Sequence, residues 1–142
     1  NLKIRQSLDK LSVYDIIRKK YVVLTKEEWV RQNFVHFLIE DKHFPPTLIS
    51  IEHGLKLHKM QKRSDIVLFD NKGMPRLIVE CKSPEVNISQ DTFDQAARYN
   101  MSLKVDYLVV SNGLEHYCCK INYEKGNYKF LAEIPDYKSI KS

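Results

Sequence analysis

The sequence contains no apolar run close to the roughly 18 to 20 residues that a membrane-spanning helix needs. Its N-terminus also lacks the apolar stretch of a signal peptide. With 142 residues, of which 43% are hydrophobic, the chain is long enough to bury one core. We therefore expect a single cytoplasmic domain over residues 1–142, with 1–24 as an N-terminal extension and 25–135 as the core.

Cysteine is also scarce. Cys81, Cys118 and Cys119 make an odd number without CxxC spacing, which argues against a disulfide framework and against a thiolate zinc site. The five histidines show no paired metal-binding spacing either. This usage of cysteine favours a reducing compartment.

Acidic residues are fewer than basic ones, at 18 against 23, so the net charge is +5. The excess is concentrated at residues 18–20 and 56–63. Such a balance permits nucleic-acid binding, although a solvated face is the commoner cause of a charge run. The basic side chains that we predict to contact a phosphate backbone are Lys59, Lys62, Arg63 and Arg98.

The pattern of apolar residues predicts two helices. The first begins at the N-cap Thr25, with Glu28 in capping-box position, and is expected to end at Pro45 and Pro46. The second covers residues 89–103 and is capped by Ser89 or by the residue three positions later, Thr92. Residues 1–24 show no clean period, and we expect a short helix there.

Alternation of apolar and polar residues predicts six strands. The order of elements is helix, three strands, helix and three strands, which is typical of a mixed α/β domain built on one central sheet. The predicted strands are residues 47–57, 64–70, 76–83, 105–113, 115–123 and 128–135.

Two of the predicted strands, residues 64–70 and 76–83, carry charged side chains that would need a partner if they were buried. If their turn is centred on Lys72 and Gly73, residues whose numbers sum to 145 lie opposite each other. Asp65 and Glu80 then become cross-strand neighbours, with Cβ atoms roughly 5 Å apart. We expect two carboxylates to meet on one face of this hairpin.

A divalent metal would relieve the repulsion between these carboxylates. Magnesium prefers oxygen ligands and keeps several waters, so Asp65, Glu80 and the backbone carbonyl of Cys81 are candidate ligands. Lys82 shares a face with Glu80 and could orient an attacking water. The alternative is a structural salt bridge between Lys82 and either carboxylate.

Asp65 followed by Glu80-Cys81-Lys82 resembles the D...(D/E)xK signature of the PD-(D/E)XK nuclease superfamily, with Ser64 in place of the usual proline. Gln95 and Tyr99 match the QxxxY element of its exonuclease-like branch. Residues 14–117 further resemble the N-terminal nuclease domain of type I restriction enzyme R subunits. The chain lacks the GxxxxGK[ST] phosphate loop of the motor that follows this domain in those subunits.

The resemblance implies a restriction-endonuclease-like fold and a Mg²⁺- or Mn²⁺-dependent DNA phosphodiesterase. It implies metal ligation by Asp65 and Glu80, catalysis assisted by Lys82, and support of the site by Gln95 and Tyr99. Restriction-modification subunits or a second copy of the chain are the expected partners besides DNA. The alternative is a non-catalytic nucleic-acid-binding or assembly module that keeps the fold.

The same resemblance implies an acidic residue from the first helix, for which Glu28 is the best match and Glu27 a weaker one. Glu28 also fits the capping box, and Gln95 has a similar alternative role as the capping-box partner of Thr92. Glu52, on the polar side of the first strand, is a further candidate to face the site.

Overall fold

A computed structural model describes the backbone of residues 2–57, 60–101 and 104–140, and the side chains of these residues except 52–57, 60–64, 99 and 101. The described chain forms a three-stranded sheet and a six-stranded sheet. The elements are β1 (Ile4–Ser7), β2 (Lys10–Asp15), β3 (Lys20–Val23), α1 (Lys26–Glu40), β4 (Ile49–Leu57), β5 (Met60–Phe69), β6 (Pro75–Cys81), α2 (Gln90–Met101), β7 (Tyr107–Ser111), β8 (His116–Asn122), β9 (Asn127–Leu131) and α3 (Tyr137–Ile140).

The larger sheet runs in the order β4-β5-β6-β7-β8-β9, and only the β6–β7 pair among these strands is parallel. Alternate residues of its central strands enter two separate apolar clusters. Leu68 and Val79 pack with Phe34 of α1, whereas Val67 and Ile78 pack with α2. The domain therefore has a helix on each face of the sheet, which confirms the predicted mixed α/β class. No helix in the described ranges is long and apolar enough to cross a membrane.

The first helix starts as predicted but ends earlier. The Thr25 hydroxyl accepts a hydrogen bond from the backbone N–H of Glu28 at 3.0 Å, which caps the first turn. At the other end, His43 adopts a left-handed φ of 62° and the N–H of Phe44 bonds to the carbonyl of Leu38 at 3.0 Å. This hydrogen bond satisfies a carbonyl group of the last turn, and the left-handed residue ends the helix before Pro45.

The second helix begins after Ser89, whose hydroxyl accepts a hydrogen bond from the N–H of Thr92 at 3.2 Å. Ser89 is therefore the cap, and Thr92 lies inside the first turn. The short helix α3 was not predicted. It is one turn long and buries Ile140, so it carries too few residues for a periodic signal.

The prediction of a short helix in residues 1–24 is wrong. This segment forms the antiparallel sheet β1-β2-β3. Its turns place Leu8 and Lys19 at φ angles of 55° and 57°. Because such positions normally carry Gly, Asn or Asp, the sequence contains no hairpin signal at either turn.

The hairpin of β5 and β6 has the predicted register. Ile66 pairs with Val79 and Val67 pairs with Ile78, so the paired numbers sum to 145, but the register shifts at Phe69, which pairs with Pro75. The Asp70 carboxylate organises the turn by accepting hydrogen bonds from the N–H groups of two turn residues, at 2.8 and 3.0 Å.

A side chain added at Gly113 would clash with the ring of Trp29. Its φ is +88°, and a Cβ built there lies 2.9 Å from Cζ3 of Trp29. We expect Gly113→Ala to lower the free energy of unfolding by about 2 to 3 kcal/mol, because backbone strain and a steric clash add. Gly73→Ala, at φ +81° with no atom within 4 Å, should show the strain alone, about 1 kcal/mol. Equal losses in chemical denaturation would contradict the contact with Trp29.

Candidate active site

The two predicted carboxylates lie at one end of the β5–β6 pair. The paired ladder reaches Ile66 and Val79, and Asp65 and Glu80 are the next residues on each strand. Alternation along each strand would place Asp65 with Val67 and Glu80 with Ile78, on the α2 side of the sheet. The Asp65 carboxylate instead reaches Arg31 of α1, so it is directed to the α1 side at the end of the ladder, and the prediction that it shares a face with Glu80 is not met by this contact.

Asp65 joins three elements of the fold. Its Oδ2 accepts a hydrogen bond from the backbone N–H of Cys81 at 2.7 Å, and its Oδ1 accepts one from Nη2 of Arg31 at 2.9 Å. The side chain is 23% exposed. Asp65 is therefore held to β6 and to α1 while it remains accessible to solvent.

Lys82 pairs with Glu80 rather than with Asp65. Its Nζ lies 3.2 Å from Oε2 of Glu80, and the two side chains are 34% and 20% exposed. The backbone N–H of Lys82 donates to the carbonyl of Ser111 at 2.8 Å, which fixes the residue at the end of the sheet. The predicted shared face of Glu80 and Lys82 is confirmed, and the contact is also the one that a structural salt bridge would make.

Arg31 is a component of the site that the sequence did not reveal. It is buried, and its Nη1 donates to Oε1 of Glu28 at 2.5 Å while Nη2 reaches Asp65. Burial lowers the pKa of Arg31, but the hydrogen bond to Asp65 and the charge of Glu28 outweigh burial and raise it. The guanidinium thus stays charged between two carboxylates.

The Glu28 side chain is directed toward Arg31 and its partners rather than back to the N-cap residue Thr25. Its Oε2 accepts hydrogen bonds from Nε2 of Gln32 at 2.8 Å and from Nη2 of Arg18 at 3.2 Å. The N–H of Thr25, which a reciprocal capping box would use, instead bonds to the carbonyl of Val23. The capping-box alternative for the Glu28 side chain is therefore wrong, and Glu28 lies beside the candidate site. Its neighbour Glu27 is exposed.

The cluster continues into the N-terminal sheet through Asp15. This fully buried carboxylate accepts hydrogen bonds from Nε of Arg18 at 2.5 Å and from Nε2 of Gln32 at 3.0 Å. Burial raises the pKa of Asp15, but the backbone and side-chain bonds from Arg18 and the bond from Gln32 outweigh burial, so the net shift is downward. The helical spacing of Glu28, Arg31 and Gln32 was the available signal for a shared face.

The Cys81 thiol is not a suitable metal ligand. Burial raises the pKa of the Cys81 thiol well above its ordinary value, and the negative charge of Asp65 raises it further. Glu28 and Glu80 act in the same direction, whereas Arg31 lowers this pKa. Magnesium is a hard cation that prefers oxygen ligands to thiols. Cys81 can therefore contribute only its backbone carbonyl, as we predict.

The helix α2 presents polar side chains to solvent, and two of the predicted residues are among them. Gln95 and Arg98 are exposed. A hydrogen bond from the Tyr128 hydroxyl lowers the pKa of Asp94 most, and the charge of Arg98 adds a smaller effect in the same direction. The Tyr99 side chain lies outside the described residues, so its predicted role in the site stays a prediction.

Other predicted residues also lie outside the described part of the chain. Lys59 is one of them, and so are the side chains of Glu52, Lys62 and Arg63, although the backbone places Lys62 and Arg63 on β5 opposite β4. Their contact with a phosphate backbone stays a prediction.

The donor set suits a hard divalent cation. Each Asp65 oxygen accepts one of the two hydrogen bonds described above and has a second lone pair, and Glu80 contributes another carboxylate at the same end of the strand pair. No group of three His, Cys, Asp or Glu residues among the described side chains has a spacing that would hold a metal. Magnesium needs only one or two carboxylates when waters and phosphate oxygens complete its shell. The residues therefore fit a magnesium site of that kind.

Together, fold and site define a mixed α/β domain with a cluster of carboxylates and cations at the end of a strand hairpin. The chain belongs to the family described as "Type I restriction enzyme R protein N terminus", which matches residues 26–135. The predicted family is thereby confirmed. The strands β1–β3 precede the matched region.

One solved structure extends the comparison. The chain is similar to a fragment assigned as an HsdR subunit of a type I restriction enzyme from Vibrio vulnificus YJ016, with a TM-score of 0.57 and 20% sequence identity. The match covers 81% of this chain and 24% of that chain, so this chain spans about a quarter of the length of that solved fragment. At this identity the likeness shows the fold. No curated protein matches the chain significantly.

Proposed function

We propose that this domain is a magnesium- or manganese-dependent DNA phosphodiesterase with a restriction-endonuclease-like fold and a PD-(D/E)XK site. The observation that carries the proposal is the position of Asp65 and Glu80 at the same end of two paired strands, with Lys82 beside Glu80. This combination matches the chemistry that hydrolysis of a phosphodiester requires.

In this proposal Asp65, Glu80 and the carbonyl of Cys81 would hold the cation, which when bound would make water a better nucleophile and offset charge on the phosphate. Lys82 orients the attacking water. Arg31 keeps Glu28 and Asp65 together by bonding both, so it is a positioning residue. Glu28 is close enough to the cluster to add negative charge on the α1 side.

The proposal also assigns contacts with the substrate. Gln95 and Tyr99 support the site from α2. The basic side chains Lys59, Lys62 and Arg63 hold the phosphate backbone from the β4–β5 hairpin, and Arg98 does so from α2. As a member of its family, the domain acts with other restriction-modification subunits or with a second copy of itself.

A second function is favoured by one specific observation. Arg31 pairs with both Glu28 and Asp65, and Lys82 pairs with Glu80, so each of these carboxylates has a cationic partner without any metal. A domain of this kind could be a non-catalytic nucleic-acid-binding or assembly module.

Calorimetric titration with Mg²⁺ and Mn²⁺ separates the two functions. We expect saturable binding of one or two ions, and nicking or degradation of DNA that stops when a chelator is added. A salt-bridged cluster has little reason to bind either ion. Absence of binding together with absence of cleavage would therefore favour the non-catalytic module.

A further inference from the structure

The N-terminal sheet has one face that packs and one face that is directed outward. Val13 and Asp15 are fully buried, and they alternate along β2 with Ser12 and Tyr14. The register places Arg5 and Val23 opposite Ser12, and Tyr21 opposite Tyr14. These partners therefore form the outward face of the three-stranded sheet.

This outward face is strongly basic. Residues 1–24 contain six Lys and Arg against two Asp, a net charge of +4 out of the +5 of the whole chain. Lys3, Arg5 and Lys10 are exposed on the outward side, whereas Asp15 is buried on the inward side. No acidic residue of β1–β3 occupies the outward face, since Asp9 lies in the turn between strands.

Two tyrosines hold the cations of this face in place. The guanidinium of Arg5 lies over the ring of Tyr21, with Cζ 3.9 Å from the ring centroid, and Nζ of Lys3 lies 5.7 Å from the centroid of Tyr14. The rings meet edge to face at 5.2 Å. A guanidinium resting on a ring keeps its N–H donors available in its own plane, where a phosphate can accept them.

These cations have no carboxylate partner within the described chain. The ion pairs found there involve Arg18, Arg31 and Arg76 among others, but none of Lys3, Arg5 and Lys10. Their charge is therefore available to an external anion. A polyanion with regularly repeated charges complements such a face better than a single small anion does.

Hydrogen bonds of buried side chains link the N-terminal sheet to the candidate active site. Asp15, on the inward side of β2, bonds Arg18 and Gln32, and both of those residues bond Glu28. A ligand held on the outward face is thus held by the same body that carries the carboxylates.

We propose that Lys3, Arg5 and Lys10, supported by Tyr14 and Tyr21, form a binding surface for the phosphate backbone of DNA. The choice of DNA as the polyanion rests on the proposed function; the surface itself requires no catalysis. It lies outside the residues that match the family, so it is a feature of this chain's own N-terminal segment.

The test is binding of a fluorescently labelled DNA duplex by anisotropy, with a chelator present so that no cleavage occurs. The variant is Lys3→Gln/Arg5→Gln/Lys10→Gln, and the matched control is Lys125→Gln/Lys129→Gln/Lys138→Gln, which removes three exposed charges elsewhere. We expect the affinity to fall at least tenfold in the first variant and less than threefold in the control. The slope of log affinity against log salt should decrease by roughly 0.9 for each phosphate that the variant no longer neutralises.

A second pair of variants tests the role of the ring. Tyr21→Ala should weaken binding severalfold because it frees the Arg5 guanidinium, whereas Tyr21→Phe keeps the ring and should bind as the native protein does. Circular dichroism and thermal melting check that each variant is folded. Equally weakened binding in the two triple variants, or unchanged binding in the first, would overturn the proposal.

Three further outcomes separate this surface from other assignments. If polyglutamate or phosphatidylserine vesicles displace DNA at equal charge concentration, the face is a general anion surface and the proposal is overturned. If DNA binds through this face but native protein with Mg²⁺ does not cleave it, the nuclease proposal fails and the surface stands. If native protein cleaves and the first triple variant binds DNA normally, only the surface proposal fails.

Discussion

Asp65→Asn and Glu80→Gln are each expected to reduce metal-dependent DNA cleavage at least a hundredfold. A metal contributes several kcal/mol to the stabilisation of charge on the phosphate, and each loss of about 1.4 kcal/mol lowers the rate tenfold. Both substitutions keep the shape of the side chain and remove one negative charge. The measurement is the initial rate of nicking of supercoiled DNA, together with the affinity for Mn²⁺ by calorimetry.

Stability distinguishes this effect from misfolding. In Asp65→Asn the side-chain oxygen can still accept the hydrogen bond from the N–H of Cys81, but the amide NH2 then faces the Arg31 guanidinium, so this variant should melt earlier than the native protein, whereas Glu80→Gln should melt near the native temperature. Glu85→Gln is the matched control, because it removes an exposed carboxylate paired with Lys26 and should leave cleavage unchanged. Retention of cleavage by Asp65→Asn or Glu80→Gln would contradict the assignment of the site.

Lys82→Ala separates metal binding from catalysis when it is tested in the same assay. In the proposed site Lys82 is not a ligand, so this variant should lose most of the cleavage and still bind Mn²⁺. Removal of Lys82 also frees the Glu80 carboxylate from its salt bridge. Unchanged or tighter metal binding with little cleavage is therefore the signature of a residue that acts on the water.

The sequence was sufficient for the hairpin that carries the site. The position of the turn and strict alternation along two strands determine which residues face each other, so the pairing of Ile66 with Val79 could be predicted. The prediction succeeded because both signals are local. Asp65 and Glu80 are the next residues beyond this ladder, and their juxtaposition stays a prediction.

Other parts of the structure depend on information that a local pattern does not contain. The N-terminal hairpins turn at Leu8 and Lys19, which take left-handed φ angles without the residues that normally mark them. Arg31 reaches Asp65 across 34 positions of the chain, and such a contact exists only once α1 is placed against the sheet. A charged residue on a buried helix face is a signal that a partner is needed, but it does not identify that partner.

Arg31→Gln is expected to destabilise the metal-free protein by about 3 to 5 kcal/mol, because it leaves Glu28 and Asp65 buried or half-buried without their shared cation. If the cluster is a metal site, saturating Mg²⁺ should restore a substantial part of that stability. A ligand that binds only the folded state stabilises it by mass action, and the two carboxylates would be free to bind. The measurement is the free energy of unfolding in urea, with Mg²⁺ and with a chelator.

Arg76→Gln is the matched control, because Arg76 also bridges two carboxylates, Asp70 and Asp106, and is 21% exposed. It should be destabilised by a smaller amount, since Arg76 and Asp106 are nearer to solvent than Arg31 and Asp65, and Mg²⁺ should stabilise it only as much as it stabilises the native protein, because the proposed metal site is intact in both. A larger gain in stability with Mg²⁺ in Arg31→Gln than in these two proteins would show that the carboxylates released from the guanidinium bind the cation. If Mg²⁺ changes the stability of none of the three proteins, the guanidinium and its carboxylates form a structural cluster, and the non-catalytic module becomes the better account of this domain.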